Sequence, residues 1–198
     1  YIKNSAEEGS YKMKPLFIHI PKCAGISVKR YLLENENVPL IEGHYTCSQM
    51  KAKAKFINYD YDSIFTVVRN PYSKLVSTYL FLQHKAKDYI HLYGKNKKTN
   101  LNDVFTTFTF ENFVKFFLKN DCHNYHYMNT YMFLPQKTWL DTDDKIKIFK
   151  FENLKELNFD LPYYNKNNME KDWESYYNDE LKEIVNIFYQ EDFKKFNY

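Results

Sequence analysis

The chain is 198 residues long, 44% hydrophobic and 27% charged, the make-up of one soluble globular domain and not of a fibrous or disordered segment. Its net charge of +3, from 28 basic and 25 acidic side chains, is too slight for a nucleic-acid binder but suits an anionic ligand or an acidic glycan. Three widely spaced cysteines (Cys23, Cys47 and Cys122) and the lack of any apolar run near 18 residues exclude a disulfide scaffold, a cysteine-based zinc site and a membrane span in this stretch, and favour a reduced, cytosol-like setting.

In chain order, residues 1–14 are polar and aperiodic and read as a flexible leader, ahead of a single domain over 15–198. Leu16–Ile20 is a short apolar run stopped by Pro21, a buried strand by length and composition. Pro21–Ser27 is a tight loop, and from Ser27 the spacing of Val28, Tyr31 and Leu32 predicts a helix that fades by Asn37-Val38-Pro39. Ile64–Val68 is β-branched and strand-like. Asn70-Pro71 follows at once as a helix N-cap with proline in the first helical position, and Leu75, Tyr79 and Leu82 share one face of that helix. Residues 84–104, rich in Lys and Asn, read as a long loop or lid. Thr109–Lys119 is a Phe-rich helix and Ile146–Phe151 a third strand. Asp179–Phe196 is a helix capped by Asp179. Alternating strand, loop and helix predicts an α/β fold with a central parallel sheet flanked by helices, and ligands in such folds sit at the carboxyl ends of the strands. The 19 Tyr, 17 Phe and 2 Trp supply the core, and Tyr also suits surfaces that stack on sugar or base rings.

Two segments carry chemistry. In Phe17–Ser27 a strand enters a loop and then a helix whose first turn offers backbone N–H groups to an anion, with Lys22 adding charge, Gly25 a close backbone approach and Ser27 a hydroxyl. The Walker pattern GxxxxGK[ST] is absent, and a plain surface turn would have the same composition. In Val67–Ser77, Arg69 stands at a strand end, where a guanidinium can fork onto a phosphate, and Ser77 lies two turns into the helix. A capped helix with a solvated Arg is the alternative there. Only Arg30 and Arg69 are arginines, which makes the placing of Arg69 more telling. Together the segments form two anion loops at adjacent strand ends, suited to a ligand with two separated anionic groups.

Pro21-Lys22-Cys23-Ala24-Gly25-Ile26-Ser27 resembles the PKTGGTS-type 5′-phosphosulfate loop of sulfotransferases that use 3′-phosphoadenosine 5′-phosphosulfate (PAPS). Arg69-Asn-Pro-Tyr-Ser-Lys-Leu-Val-Ser77 resembles their RNPxxRLVS segment, whose Arg and Ser hold the 3′-phosphate. The likeness is to carbohydrate sulfotransferases of the heparan sulfate 2-O- and chondroitin type. Gly43-His44, Pro135-Gln136, Phe151-Glu152-Asn153-Leu154, Leu161-Pro162 with Asn165, and the Tyr-rich ending follow the family's order. The resemblance implies a P-loop-like three-layer fold and transfer of a sulfuryl group from PAPS to a hydroxyl, that of a glycan, with adenosine 3′,5′-bisphosphate as product and no metal. It assigns Pro21, Lys22, Cys23, Ala24, Gly25, Ile26, Ser27, Arg69 and Ser77 to the donor, and makes Lys22 and His44 catalytic. It also adds the Golgi lumen, reached through an N-terminal anchor, as the alternative compartment.

The sequence departs from the pattern at Ile26, where a hydroxyl is usual, at Cys23 for Thr, at Lys74 for Arg, and at Tyr163-Tyr164 for a His-containing pair. A near-neutral base suits deprotonation of an alcohol, and His44 lies on a loop between the two anion segments. His19 reads as a satisfied core histidine, His84 and His91 as solvated, and Glu152 as an anchor for the sheet. His123 and His126 remain rivals for the base. Two other functions stay open at this point: a catalytically silent sulfotransferase-like binding module, and a P-loop nucleotide kinase.

Overall fold

A computed structural model of the chain describes residues 14–93, 107–119, 130–159, 161 and 168–198. Strands β1 (Pro15–Ile18), β2 (Ser63–Val68) and β3 (Ile146–Lys150) form a parallel sheet in the order β1-β2-β3, with Phe17 opposite Phe65 and Phe65 opposite Lys147. β1 and β2 are continuous apolar runs because they are buried along nearly their whole length. The connections carry α1 (Gly25–Glu36) and α2 (Cys47–Phe56) from β1 to β2, and α3 (Pro71–Tyr93) and α4 (Phe110–Lys119) from β2 towards β3. Beyond the sheet run α5 (Asp179–Phe188) and α6 (Gln190–Phe196). The α/β, P-loop-like fold read from the sequence is the fold of the chain.

Local chemistry explains the helix starts. Asn70 accepts from the Tyr72 N–H (2.9 Å) ahead of Pro71, and Thr46 forms a capping box with Gln49 at the start of α2. Two apolar clusters fill the interior. One packs α1 and α2 on the sheet through Leu16, Ile18, Val28, Leu32, Met50 and Val67. The other joins α3, α4 and α5 through Leu75, Tyr79, Phe113, Phe117, Leu181 and Val185. Many of the aromatic side chains lie here, as in the Phe117–Phe133 stack at 4.6 Å, so packing accounts for much of the aromatic content.

Several expectations need correction. Residues 84–93 are not loop: α3 continues to Tyr93, about 35 Å in all, because no Gly or Pro interrupts it before Gly94 and Lys, His, Gln and Ala tolerate a helix. The first helix opens at Gly25, two residues before Ser27. The last helical stretch is two helices broken at Tyr189, and its N-cap is Asn178, which accepts from the Leu181 N–H, not Asp179. β3 ends at Lys150, and Phe151 begins a 3-10 segment. The leader (except Lys14), Cys122, His123, His126, Pro162, Tyr163, Tyr164 and Asn165 lie outside the described residues, as does the side chain of His91. Among the described residues no helix is long and apolar enough to cross a membrane.

Candidate active site

β1 delivers the chain to the Pro21–Ala24 turn, from which α1 springs. Lys22 and Ala24 take left-handed backbone conformations (φ 64° and 60°) on either side of Cys23. Non-glycine residues pay roughly 1–2 kcal/mol each for that geometry, and left-handed residues in such a turn are the means by which a backbone can aim successive N–H groups at an anion. Ala24 caps α1 without a side-chain hydrogen bond, leaving the first-turn N–H groups to the backbone dipole. The loop's freedom therefore does not reside in Gly25. That residue lacks a side chain for another reason: a Cβ there would lie 1.7 Å from Cδ2 of His19. The Lys22 ammonium sits 4.3 Å from the centroid of the Phe81 ring. Ile26 is 54% exposed on the same turn.

The second loop leaves β2 at Arg69. This arginine is only 4% exposed, so the solvated alternative fails. Its guanidinium stacks 4.1 Å above the Phe151 ring, and Nε donates to the Ser73 hydroxyl (2.9 Å). Nη1 donates to the Lys22 carbonyl (3.3 Å), tying the two anion loops together. Ser77 is buried one turn beyond Ser73 on α3. Lys74, in the place of the usual arginine, faces inward: its ammonium donates to the carbonyls of Met132 (2.8 Å) and Leu134 (3.3 Å), and burial lowers its pKa. It braces the wall of the site.

Beneath both loops lies a polar knot that sequence reasoning missed. The Gln136 amide oxygen accepts from the Arg69 N–H (2.8 Å) and the Cys23 thiol (3.3 Å), and its nitrogen donates to the Arg69 carbonyl (2.8 Å). Asp192 of α6 accepts from the backbone N–H of Gln136 (2.6 Å) and Lys137 (2.9 Å). Burial pushes the Asp192 carboxyl up, against those N–H groups, which pull it down. Cys23 thus faces the interior, and burial pushes its thiol up to about 12. Only its backbone is left to a ligand. Glu152 accepts from the Asn70 N–H (2.9 Å) and the Tyr198 hydroxyl (2.7 Å), the anchoring position expected of it.

The third part is the stretch between α1 and α2. Gly43 takes φ +100°, and a Cβ there would press at 3.1 Å on the Tyr45 ring, so this turn needs glycine. His44 follows, with Nδ1 3.0 Å from the His19 carbonyl. A carbonyl only accepts, so Nδ1 carries the proton and Nε2 has the free lone pair. The two imidazoles lie 4.1 Å apart, and Tyr131 flanks His44 at 5.2 Å. Burial lowers the His44 pKa, with Lys29 and Lys22 adding to the effect and the bond to the His19 carbonyl opposing it. At neutral pH the ring is an uncharged acceptor. His19 is not satisfied as expected: its Nδ1 is buried without a hydrogen-bond partner, and burial, then His44, holds its pKa down at about 2.

Residues 9–198 match the model of the sulfotransferase family. The chain belongs to that family. No curated protein and no solved structure shows significant similarity to it. This sulfotransferase is therefore a transferase acting on sulfuryl groups, and its site residues are read from its own geometry. That geometry brings Pro21–Ser27 and Arg69 together at the ends of β1 and β2, with Ser77 buried two turns along α3 and His44 against His19, whose ring packs on Gly25. His84 lies exposed on α3. Among the described residues no cluster of three or more His, Cys, Asp or Glu side chains could hold a metal ion.

Proposed function

We propose that this sulfotransferase moves a sulfuryl group from PAPS to a hydroxyl of a carbohydrate acceptor. The observation that carries the reading is the bond from Arg69 to the Lys22 carbonyl, which makes one site with two cationic ends from two strand-end loops. Such a site fits a nucleotide with separated 5′ and 3′ anionic groups. Backbone N–H groups of Lys22–Ser27 and the Ser27 hydroxyl would hold the 5′ end, and Arg69 with Ser77 the 3′-phosphate. Cys23 and Ile26 contribute main chain alone, and Pro21 shapes the turn.

When bound, the donor supplies a sulfuryl group carried on a phosphate leaving group. Lys22 leaves the Phe81 face, a contact worth only about 0.5–1 kcal/mol, to stabilise the charge that builds on the bridging oxygen. The His44 Nε2 accepts the proton of the acceptor hydroxyl as that oxygen bonds to sulfur and the bond from sulfur to the phosphate oxygen breaks. Site residues thus divide between holding charge and moving one proton.

The test is transfer of labelled sulfate from PAPS to a panel of glycans, alongside thermal-shift titrations with adenosine 3′,5′-bisphosphate and ATP. Sulfated glycan and a larger shift with the bisphosphate are expected. Bisphosphate binding without transfer to any hydroxyl acceptor would mark a silent binding module. An equal or larger response to ATP would overturn the donor assignment.

A further inference from the structure

The stretch from Asn37 to Thr46 has neither helix nor strand to hold it, yet it carries His44. Its first tie is the Val38 N–H to the Leu32 carbonyl (3.1 Å), and its last is the Thr46 cap of α2. Between them the His44 ring bonds the His19 carbonyl, and a side chain of α1 reaches across. The Lys29 ammonium donates to the carbonyls of Ile41 (2.7 Å) and Gly43 (3.1 Å). One ammonium with three donors can take both carbonyls at once. Lys29 belongs to α1, the helix whose first turn is the proposed donor site, one turn after Gly25. Its stem lines the narrow cleft formed by Phe17, Leu32, Val38 and Ile41. The residue immediately after the second carbonyl is His44.

We propose that Lys29 is a positioning residue for catalysis: by holding the Ile41 and Gly43 carbonyls it fixes the base-bearing loop to the donor-binding helix. The proposal rests on His44 being the base. Lys29 does not touch the reacting atoms and acts through His44. Its charge has a second effect in the same direction. Positive groups face His44 from two elements, Lys29 from α1 and Lys22 from the donor loop, while neutral His19, just after β1, and the Tyr131 and Trp139 rings cover it. The single acidic neighbour in the loop, Glu42, acts on Lys29. The His19 carbonyl favours a protonated His44, but burial and the two cations outweigh it, which keeps the ring ready to accept. Lys serves better than Arg because two carbonyls around one point match a compact ammonium and not a planar fork.

Histidine-detected NMR of the whole chain tests this without any acceptor. His44→Ala assigns the resonance, and Lys29→Met removes both donors and charge with little change in stem volume. The expected result is a His44 titration moved upward towards the ordinary histidine value, with loss of the Nδ1-protonated signature. Adenosine 3′,5′-bisphosphate affinity should stay within about twofold, since none of its contacts is removed. With an acceptor in hand, kcat should fall roughly 10–100-fold, the usual cost of a small misplacement. Lys29→Arg, which keeps the charge and donors, should restore the titration and part of kcat. Should Lys29→Met lose its fold, Lys29→Gln is measured in its place. An unmoved His44 titration and tautomer, or a collapse of bisphosphate affinity together with the change, would overturn the proposal. If Lys29→Met shifts His44 but His44→Ala keeps full turnover, the loop tie stands and the reading of His44 as base is what fails.

Discussion

Around Arg69 the backbone N–H, the backbone carbonyl and the guanidinium are all engaged with groups in the interior, and Gln136 and Asp192 continue that network down to α6. Around His44 the ties are few: one bond from its own ring, and two carbonyls held by Lys29. The Arg69 loop is held by several bonds into the interior, whereas the His44 loop adds to its few bonds only ring and apolar packing. Recognition of a charged nucleotide needs several donors aimed together, so rigidity belongs there. Proton transfer needs a single atom in the right protonation state, and a looser mounting suffices. Changes near Arg69 should therefore alter folding and binding together, while changes near His44 should alter turnover alone.

The sharpest test is His44→Ala. Turnover in a single-turnover assay should fall roughly 10²–10⁴-fold, the usual worth of a general base, with bisphosphate affinity unchanged. Because protonation removes the lone pair and the His44 pKa lies below 6.5, the wild-type rate should fall as pH drops through a value under 6.5. That limb should vanish in the variant. Near-normal turnover would move the base to His123 or His126.

Gln136→Leu probes the other side. It strands the buried N–H and carbonyl of Arg69, so chemical denaturation should reveal a loss of roughly 3 kcal/mol, accompanied by weaker bisphosphate binding. Unchanged stability with binding lost would mean that Gln136 meets the nucleotide directly, and the contrast between the regions would dissolve. Arg69→Ala should cost about 1.5–3 kcal/mol in affinity for adenosine 3′,5′-bisphosphate, roughly ten- to a hundredfold. Calorimetry should register much less for adenosine 5′-phosphosulfate. Equal losses would take the 3′-phosphate away from Arg69.

The smallest effect concerns His19. Its folded pKa of about 2 lies below the unfolded value near 6.5, so between these values the unfolded chain binds the extra proton. Stability is then complete above about pH 6.5 and falls as pH drops, by roughly 2 kcal/mol at pH 5. In His19→Gln the difference in denaturation free energy between pH 7 and pH 5 should shrink by about that amount. An unchanged difference would show that His19 protonates freely in the fold.

How much of this could be read in the residues depends on how local each cause is. Asn70-Pro71 and the apolar runs of β1 and β2 act within a few residues, and they fold as the sequence suggests. The two segments read as anion loops are local in the same way, each a strand, a turn and a helix start in one stretch. The left-handed Lys22 and Ala24 were not legible, because backbone preference alone would assign such a conformation to glycine, and here Gly25 is reserved for the His19 ring. Gln136 stands out in the sequence only through the place of Pro135-Gln136 in the family's order, and Asp192 and Lys29 look like ordinary surface polar residues. Their partners lie 113, 67, 56 and 12 positions away, where periodicity has no reach. The far half of α3 is hidden because it runs without a break into a Lys/Asn-rich stretch of loop-like composition, although no Gly or Pro ends a helix before Gly94.

Those long separations bear on how the molecule comes into being. Closing a segment costs more entropy the longer it is, and contacts between remote residues slow folding. The Gln136 amide gathers Cys23, Arg69 and Asp192, so its bonds require three such closures at once. The strands and capped helices can form before α6 has docked, but the two anion loops are then without the group that aligns them. A fragment stopping short of Asp192 would retain Lys22 and Arg69 in its sequence while lacking the carboxylate that seats Gln136 between them. On the proposed function, nucleotide binding requires that α6 has docked, and so reports that this part of the fold has formed.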